Sequence, residues 1–316
     1  MLLCTEAGND IMFDEAMCEQ GRNFGNKIWN AFRLVNSWNI DENMEQEESS
    51  RLAVEWFGNL LDRTLVQVDA DFASYRISDA LMTIYKLFWD EFSGWYLEMV
   101  KPAYGSPIDG KTLAQTKMFF DKLLKMLHPF MPFVTEELWH GLKERADSES
   151  ITISDMPVGG SYDENLLARF ELVKETVTAI RNIRQQKNIP NKEQLKLKVI
   201  CDENFCEVYN PVLVKMANLS EVECVSEKDP AAPSFIVKTT EYFVPLEGMV
   251  DVETELRKLN DELTYLEGFL ASVMKKLSNE RFVANAPQKV VETEYAKRND
   301  AEAKIKAIRE RIAALK

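Results

Sequence analysis

Near the end of the chain Leu256, Leu259, Leu263, Leu266, Leu270, Val273 and Leu277 recur at alternating steps of three and four, and Ala301, Ile305, Ile308, Ile312 and Leu315 repeat the habit. An apolar residue every 3.5 positions makes a seam that one helix cannot hide from water, so a second helix must cover it. Between the runs SNERFVANAPQ supplies polar turn residues, with Pro287 placed to open the second helix. Residues 249–316 are therefore expected to fold back as an antiparallel coiled-coil arm, roughly 40 Å long at the helical rise. The competing arrangement, a coiled coil between two chains, is disfavoured by the turn and the matched arm lengths. The arm holds thirteen bases and twelve acids in a chain whose net charge is −14, and Lys275, Lys276, Arg281 and Lys289 gather at its tip. Such a tip suits contact with a polyanion, and equally suits a solvated strut.

Upstream, several amphipathic runs joined by short connections predict an α-helical bundle. Met17, Phe24, Ile28, Ala31, Phe32 and Val35 share one helical face. Leu52, Trp56, Leu60 and Leu65 mark a helix over 51–68, and Phe72, Tyr75, Ala80, Ile84, Leu87, Phe88 and Phe92 mark one over 72–100. A further helix covers 113–127, and in LHPFMPFVTEELWH Pro129 and Pro132 end one helix and start the next. Residues 148–160 read as a linker with a short β-like ITI, and 162–187 as a helix buried along Leu166, Phe170, Val173, Val177 and Ile180. The period then changes to two in LKLKVI, and VECV, FIVK and EYFVPL also read as strands around a short helix at 211–218. The expected fold is mainly α. Its parts are a helical bundle over 1–147, a linker and basic helix over 148–189, a small mixed α/β subdomain over 190–248, and the arm over 249–316. The opening residues start in mid-pattern, as though the sequence were an excised region.

The bundle's first long helix carries the most informative surface. Between Arg22 and Val35 there is no acid, although the whole chain has 52 acids against 38 bases. Opposite the apolar stripe lie Arg22, Asn26, Trp29 and Arg33, flanked by Asn23, Lys27 and Asn30. A solvated face in an acidic protein normally carries Glu and Lys. Here cations can neutralise phosphates, amides can meet base edges, and an indole can stack on an unpaired base. The competing reading is structural, with amides capping loops and arginines bonding to carboxylates elsewhere. A second basic stretch, 174–198, has seven bases and two acids, with Lys174, Arg181 and Arg184 away from the apolar stripe.

Composition excludes several classes. No apolar run reaches the roughly 18 residues of a membrane span. Five scattered cysteines without a C-x-x-C pair, and two histidines distant from them, predict free thiols in a reducing cytoplasm and no metal site. No G-x-x-x-x-G-K-[ST], G-x-G-x-x-G or H-E-x-x-H occurs, so no catalytic constellation is expected in this chain.

In order, GRNFGNKIWNAFRLV, LKMLHPFMPFVTEELWH, IRNIRQQKNIPNKEQLKL and KLSNERFVANAPQKVVETE resemble the valyl-tRNA synthetases. The first two motifs are shared loosely with the isoleucyl and leucyl enzymes, and the terminal hairpin selects the valyl family. The resemblance implies the tRNA-gripping C-terminal portion of a class I ligase that joins valine to its tRNA using ATP and Mg²⁺. The H-I-G-H and K-M-S-K-S signatures are absent from the 316 residues, so the chain is expected to be inactive alone and to hold no cofactor. It implies a cytoplasmic monomer whose partner is valine tRNA, not DNA or a membrane, and whose catalytic and editing domains lie elsewhere in the polypeptide. The bundle would read an anticodon with A at its centre and C at its third position. Arg22, Asn23, Asn26, Lys27, Trp29 and Arg33 are placed at the anticodon side, with Arg181 and Arg184 supporting or else bracing the bundle. Lys275, Lys276 and Arg281 are placed at the arm, against the tRNA elbow. The alternative is a coiled-coil protein-interaction scaffold that binds no tRNA.

Overall fold

The computed structural model describes residues 14–146, 148–227, 232–246 and 252–278, together with 294, 295, 297–299, 301, 302, 305 and 309. The chain divides into two compact units, Met1–Pro245 and Leu246–Lys316, each described by itself.

The first unit begins with α1 (Glu15–Asn36), whose N-cap Asp14 accepts a hydrogen bond from the Ala16 N–H. Two short strands, β1 (Ile40–Asp41) and β2 (Ile108–Asp109), pair in parallel. Between them run α2 (Glu48–Ala73), α3 (Ile77–Lys86), a π-helical stretch over Leu87–Tyr96, and α4 (Leu97–Val100). After β2 come α5 (Gly110–Leu127), α6 (Pro132–Leu142) and α7 (Glu164–Gln186). The second half of the unit holds β3 (Leu195–Ile200), α8 (Asn210–Ala217), β4 (Leu219–Cys224), β5 (Ser234–Val237) and β6 (Thr240–Phe243).

The bundle is organised around Phe57, which is fully buried and lies within 5.3 Å, centroid to centroid, of Phe92, Tyr96 and Phe119. Phe88, Phe92 and Tyr96 are four residues apart. The rings stack in sequence at 5.4 and 5.5 Å. The only polar atom of this cluster, the Tyr96 hydroxyl, bonds to Thr116 Oγ1 at 2.7 Å, and burial pushes its pKa above the usual tyrosine value. Trp56 stacks on Phe170 at 4.4 Å and so seats α7 against α2.

The expected helix over 72–100 is corrected. Phe72 closes α2, and the chain turns at Tyr75 (φ 58), where the Arg76 N–H bonds to the Asp71 carbonyl. The predicted β-like ITI is a 3₁₀ turn, Ile151–Ile153, whose Ile151 is buried. The small sheet has order β4-β3-β6-β5 with β3 and β4 parallel and the rest antiparallel, the mixed sheet expected. The basic side assigned to α7 also needs correction, because Lys174 and Arg184, four residues after Phe170 and Ile180, lie on the buried stripe itself and only Arg181 stays exposed. Lys174 is 9% exposed and bonds to Glu91 and Glu171 at 2.8–3.0 Å beneath Trp56 and Trp95. Burial pushes the Glu91 carboxyl up, against the pull of Lys174.

In the second unit α9 (Val252–Leu277) carries Val273 buried and Leu263, Leu266, Leu270 and Leu277 half-buried among exposed neighbours. Ala301 and Ile305 of the return segment are also buried. Arg309 Nη2 lies 2.7 Å from Glu267, while Lys276 lies 3.7 Å from Glu294. Partners further along the return segment meet positions further back on α9, so the two segments run antiparallel. The turn SNERFVANAPQ after Ser278, and Ile308, Ile312 and Leu315, lie outside the described residues, as does the opening before Asp14.

Candidate nucleic-acid interface

The two faces of α1 separate as the sequence predicts. Phe24, Ile28, Ala31 and Val35 are buried, with Phe24 4.7 Å from Tyr85 and 5.8 Å from Phe88. Arg22, Asn23, Asn26, Trp29, Asn30 and Arg33 are exposed. Trp29 is 41% exposed, which leaves its indole ring available on this face.

The polar groups of this face are unusually free. Among the described residues no hydrogen-bond partner is found for the side-chain amides of Asn23, Asn26 or Asn30, and no carboxylate lies within 4 Å of Arg33. By contrast Asn36, Asn59 and Asn218 all donate to backbone carbonyls. Arg22 makes one ion pair, 3.6 Å from Glu19, with both side chains more than half exposed. Such a pair holds little free energy and a phosphate can displace the carboxylate. Lys27 differs, since it is half-buried with its Nζ 5.2 Å from the Trp89 ring centroid. It braces α1 on the π-helical stretch as well as adding charge.

Helix α6 runs alongside α1, with Gly25 facing Met131 at its start and Phe32 facing Gly141 near its end. Asn30, Phe32, Arg33, Leu34, Asn36 and Ser37 line an open depression at the C-terminal end of α1. Asn30, Asn36 and Ser37 were not among the residues chosen from the sequence. Their signal was present, since steps of three and four from Trp29 through Arg33 lead to Asn36 and Ser37. A Cβ on Gly141 would stand 2.5 Å from Phe32 Cζ. Gly141→Ala is therefore expected to displace Phe32 and to cost about 1–3 kcal/mol in urea unfolding. An unchanged midpoint would show that the ring moves freely.

The other predicted residues are not brought to this face. Arg181 is exposed, but its Nη2 donates to the Met216 carbonyl and its guanidinium lies 5.4 Å from the Trp95 ring centroid. Arg184 is 5% exposed and donates to the carbonyls of Pro190, Glu193, Ala217 and Asn218 at 2.8–3.3 Å. It ties α7 to the end of α8, bracing through carbonyls rather than through salt bridges, and is not placed for a ligand. On the arm, Lys275 and Lys276 are exposed and Lys276 is partly balanced by Glu294. Arg281 lies outside the described residues.

Residues 55–200 match the family model for the anticodon-binding domain of tRNA ligase, and residues 251–316 that for the valyl tRNA synthetase tRNA binding arm. The chain carries an anticodon-binding domain of the tRNA-ligase type and a tRNA-binding arm of the valyl-tRNA-synthetase type. It is 56% identical over its whole length to a valine–tRNA ligase of Parabacteroides distasonis, and 53% identical to that of Phocaeicola vulgatus. A valine–tRNA ligase of Clostridium perfringens is 36% identical over 98% of the chain. The chain spans 36% of the length of each of these relatives. These matches do not favour the scaffold reading. The match to the anticodon-binding model begins after α1, so the residues that line the depression lie outside it, while α6, which runs beside α1, lies within it.

Proposed function

We propose that this chain is the tRNA-gripping part of a longer valine–tRNA ligase, and that the exposed face of α1 reads the anticodon loop. The observation that carries this reading is the acid-free face itself, with an exposed indole, three amides that find no partner among the described residues, and Arg33 with no carboxylate near it among them. An unpaired loop offers phosphates, base edges and base faces, and these groups answer all three. Arg22 and Arg33 hold phosphates, Trp29 stacks, and Asn23, Asn26 and Asn30 meet base edges, with Lys27 adding charge from the flank. Arg181, exposed on α7 apart from this face, would add a supporting charge for the tRNA backbone, and Lys275, Lys276 and Arg281 of the coiled-coil arm lean on the tRNA elbow.

On this reading residues 1–147 form the anticodon module, 148–189 its connection and 190–248 a bracing subdomain, with 249–316 as the arm. The catalytic and editing domains of the same polypeptide would supply valine activation with ATP and Mg²⁺, in a cytoplasmic monomer. Among the described residues no helix is long and apolar enough to cross a membrane.

The test is binding of this chain to valine tRNA and to the same tRNA with its central anticodon base changed, across a salt series. Tight binding that falls on the base change, with a steep salt slope, is the expected result. Equal binding to both tRNAs would move recognition to the arm and remove the role given to α1.

A further inference from the structure

Three chemically active side chains meet on the small α/β subdomain, away from α1. Cys201 follows the last residue of β3 and Cys224 ends β4, and these strands pair in parallel with Val199 opposite Cys224. The two cysteines are joined as a disulfide with their Cα atoms 5.7 Å apart, while Cys18 and Cys206 lie outside any disulfide. This corrects the expectation of free thiols throughout. The carboxylate of Glu207, in the short 3₁₀ turn Glu207–Tyr209, reaches the same place, with its Oε1 3.4 Å from Cys224 Sγ. The two sulfurs and the Glu207 oxygen lie within 4.8 Å of one another, and all three residues are exposed.

The loop between them is held from behind. Asp202 accepts from the backbone N–H groups of Asn204 and Phe205 and from the hydroxyls of Thr239 and Thr240, at 2.6–3.2 Å. The hydrogen bonds fix the segment that carries Cys201 and leads into Glu207, and they tie it to β6. The ligand atoms are thus placed by strand pairing at one side and by an anchored turn at the other.

We propose that the reduced form of this cluster is a zinc(II) site, with Cys201, Cys224 and Glu207 as protein ligands and water in the fourth position. Two thiolates and a carboxylate match the borderline-soft preference of zinc. Around a tetrahedral ion, with Zn–S near 2.3 Å, ligand atoms stand about 3.8 Å apart; the Glu207 oxygen already lies 3.4 Å from Cys224 Sγ, and reduction frees the two bonded sulfurs to part to that spacing. Exposure leaves room for the water. Binding displaces the two thiol protons to solvent, so affinity rises with pH. The disulfide is the alternative state of the same two sulfurs, and the oxidised chain cannot bind.

Cobalt(II) is the probe. The whole chain, reduced with a phosphine, is titrated with cobalt and then with zinc. One equivalent is expected to give thiolate-to-cobalt charge transfer and tetrahedral visible bands, both removed by zinc. Cys201→Ser and Cys224→Ser should each abolish the tetrahedral spectrum, and Glu207→Gln should weaken cobalt binding by at least about tenfold. Cys206→Ser should leave it unchanged. All four positions lie outside the hydrophobic core apart from half-buried Cys206, and circular dichroism with the unfolding midpoint confirms that each variant folds. No charge transfer in the reduced chain, or a spectrum that persists in the Cys201→Ser/Cys224→Ser double variant, would overturn the proposal.

Discussion

Replacing Arg184 with alanine is expected to lower the stability of the chain by about 3 kcal/mol, a large loss for a substitution of a charged residue. Its guanidinium is the shared donor for four carbonyls. Two of them, on Ala217 and Asn218, close α8, where the last-turn carbonyls have no partner within the helix. The other two, on Pro190 and Glu193, belong to the turn that links α7 to β3. At 5% exposure water cannot take over all four bonds. Burial already holds the Arg184 pKa below its ordinary value, so the charge is tolerated here only because the fork is fully used. Arg184→Lys should recover little, since an ammonium cannot present a planar fork to carbonyls on two sides. Urea unfolding of the two variants checks this. A loss below about 0.5 kcal/mol, the range of ordinary surface substitutions, would show that the four bonds are replaced by solvent.

The second large effect is on binding. The triple variant Arg22→Glu, Trp29→Ala, Arg33→Glu is expected to bind valine tRNA at least about a hundredfold more weakly at moderate salt. Loss of two phosphate contacts should also lower the slope of log affinity against log salt by about two. The three side chains are exposed and the buried stripe of α1 is untouched, so the unfolding midpoint should hold. That control separates a lost interface from a lost fold. Trp29→Phe, which keeps an aromatic face, should retain most of the stacking that Trp29→Ala removes. Binding that survives the triple variant unchanged would assign the grip to the arm alone.

Helical periodicity was enough to divide α1 correctly, because one turn of a helix fixes which residues share a face whatever packs against it. The same argument found the alternating strands β3 to β6 and the seam of the arm, of which Val273 on α9 and Ala301 and Ile305 on the return segment are buried. The acid-free composition of α1 was equally legible, since it is a property of the chain and not of its surroundings. The region 72–100 was less so. Local spacing does not report the break at exposed Tyr75 or the change to a π stretch at Leu87, whose Phe92 packs against Phe57 and Phe120.

What only the tertiary structure decided concerns residues with two possible environments. Lys174 and Arg184 follow Phe170 and Ile180 of the α7 stripe by four residues, so the period places them on the buried side without saying what would meet their charge. Half-buried Glu91 and exposed Glu171 receive Lys174, and four backbone carbonyls receive Arg184. Cys201 and Cys224 are 23 residues apart and carry no spacing motif, yet the parallel pairing of β3 with β4 brings their sulfurs together. Periodicity tells which residues lie on the same side of an element. Which side meets solvent, and which distant side chain it meets instead, is set by what packs there, and that information is spread over contacts far apart in the chain.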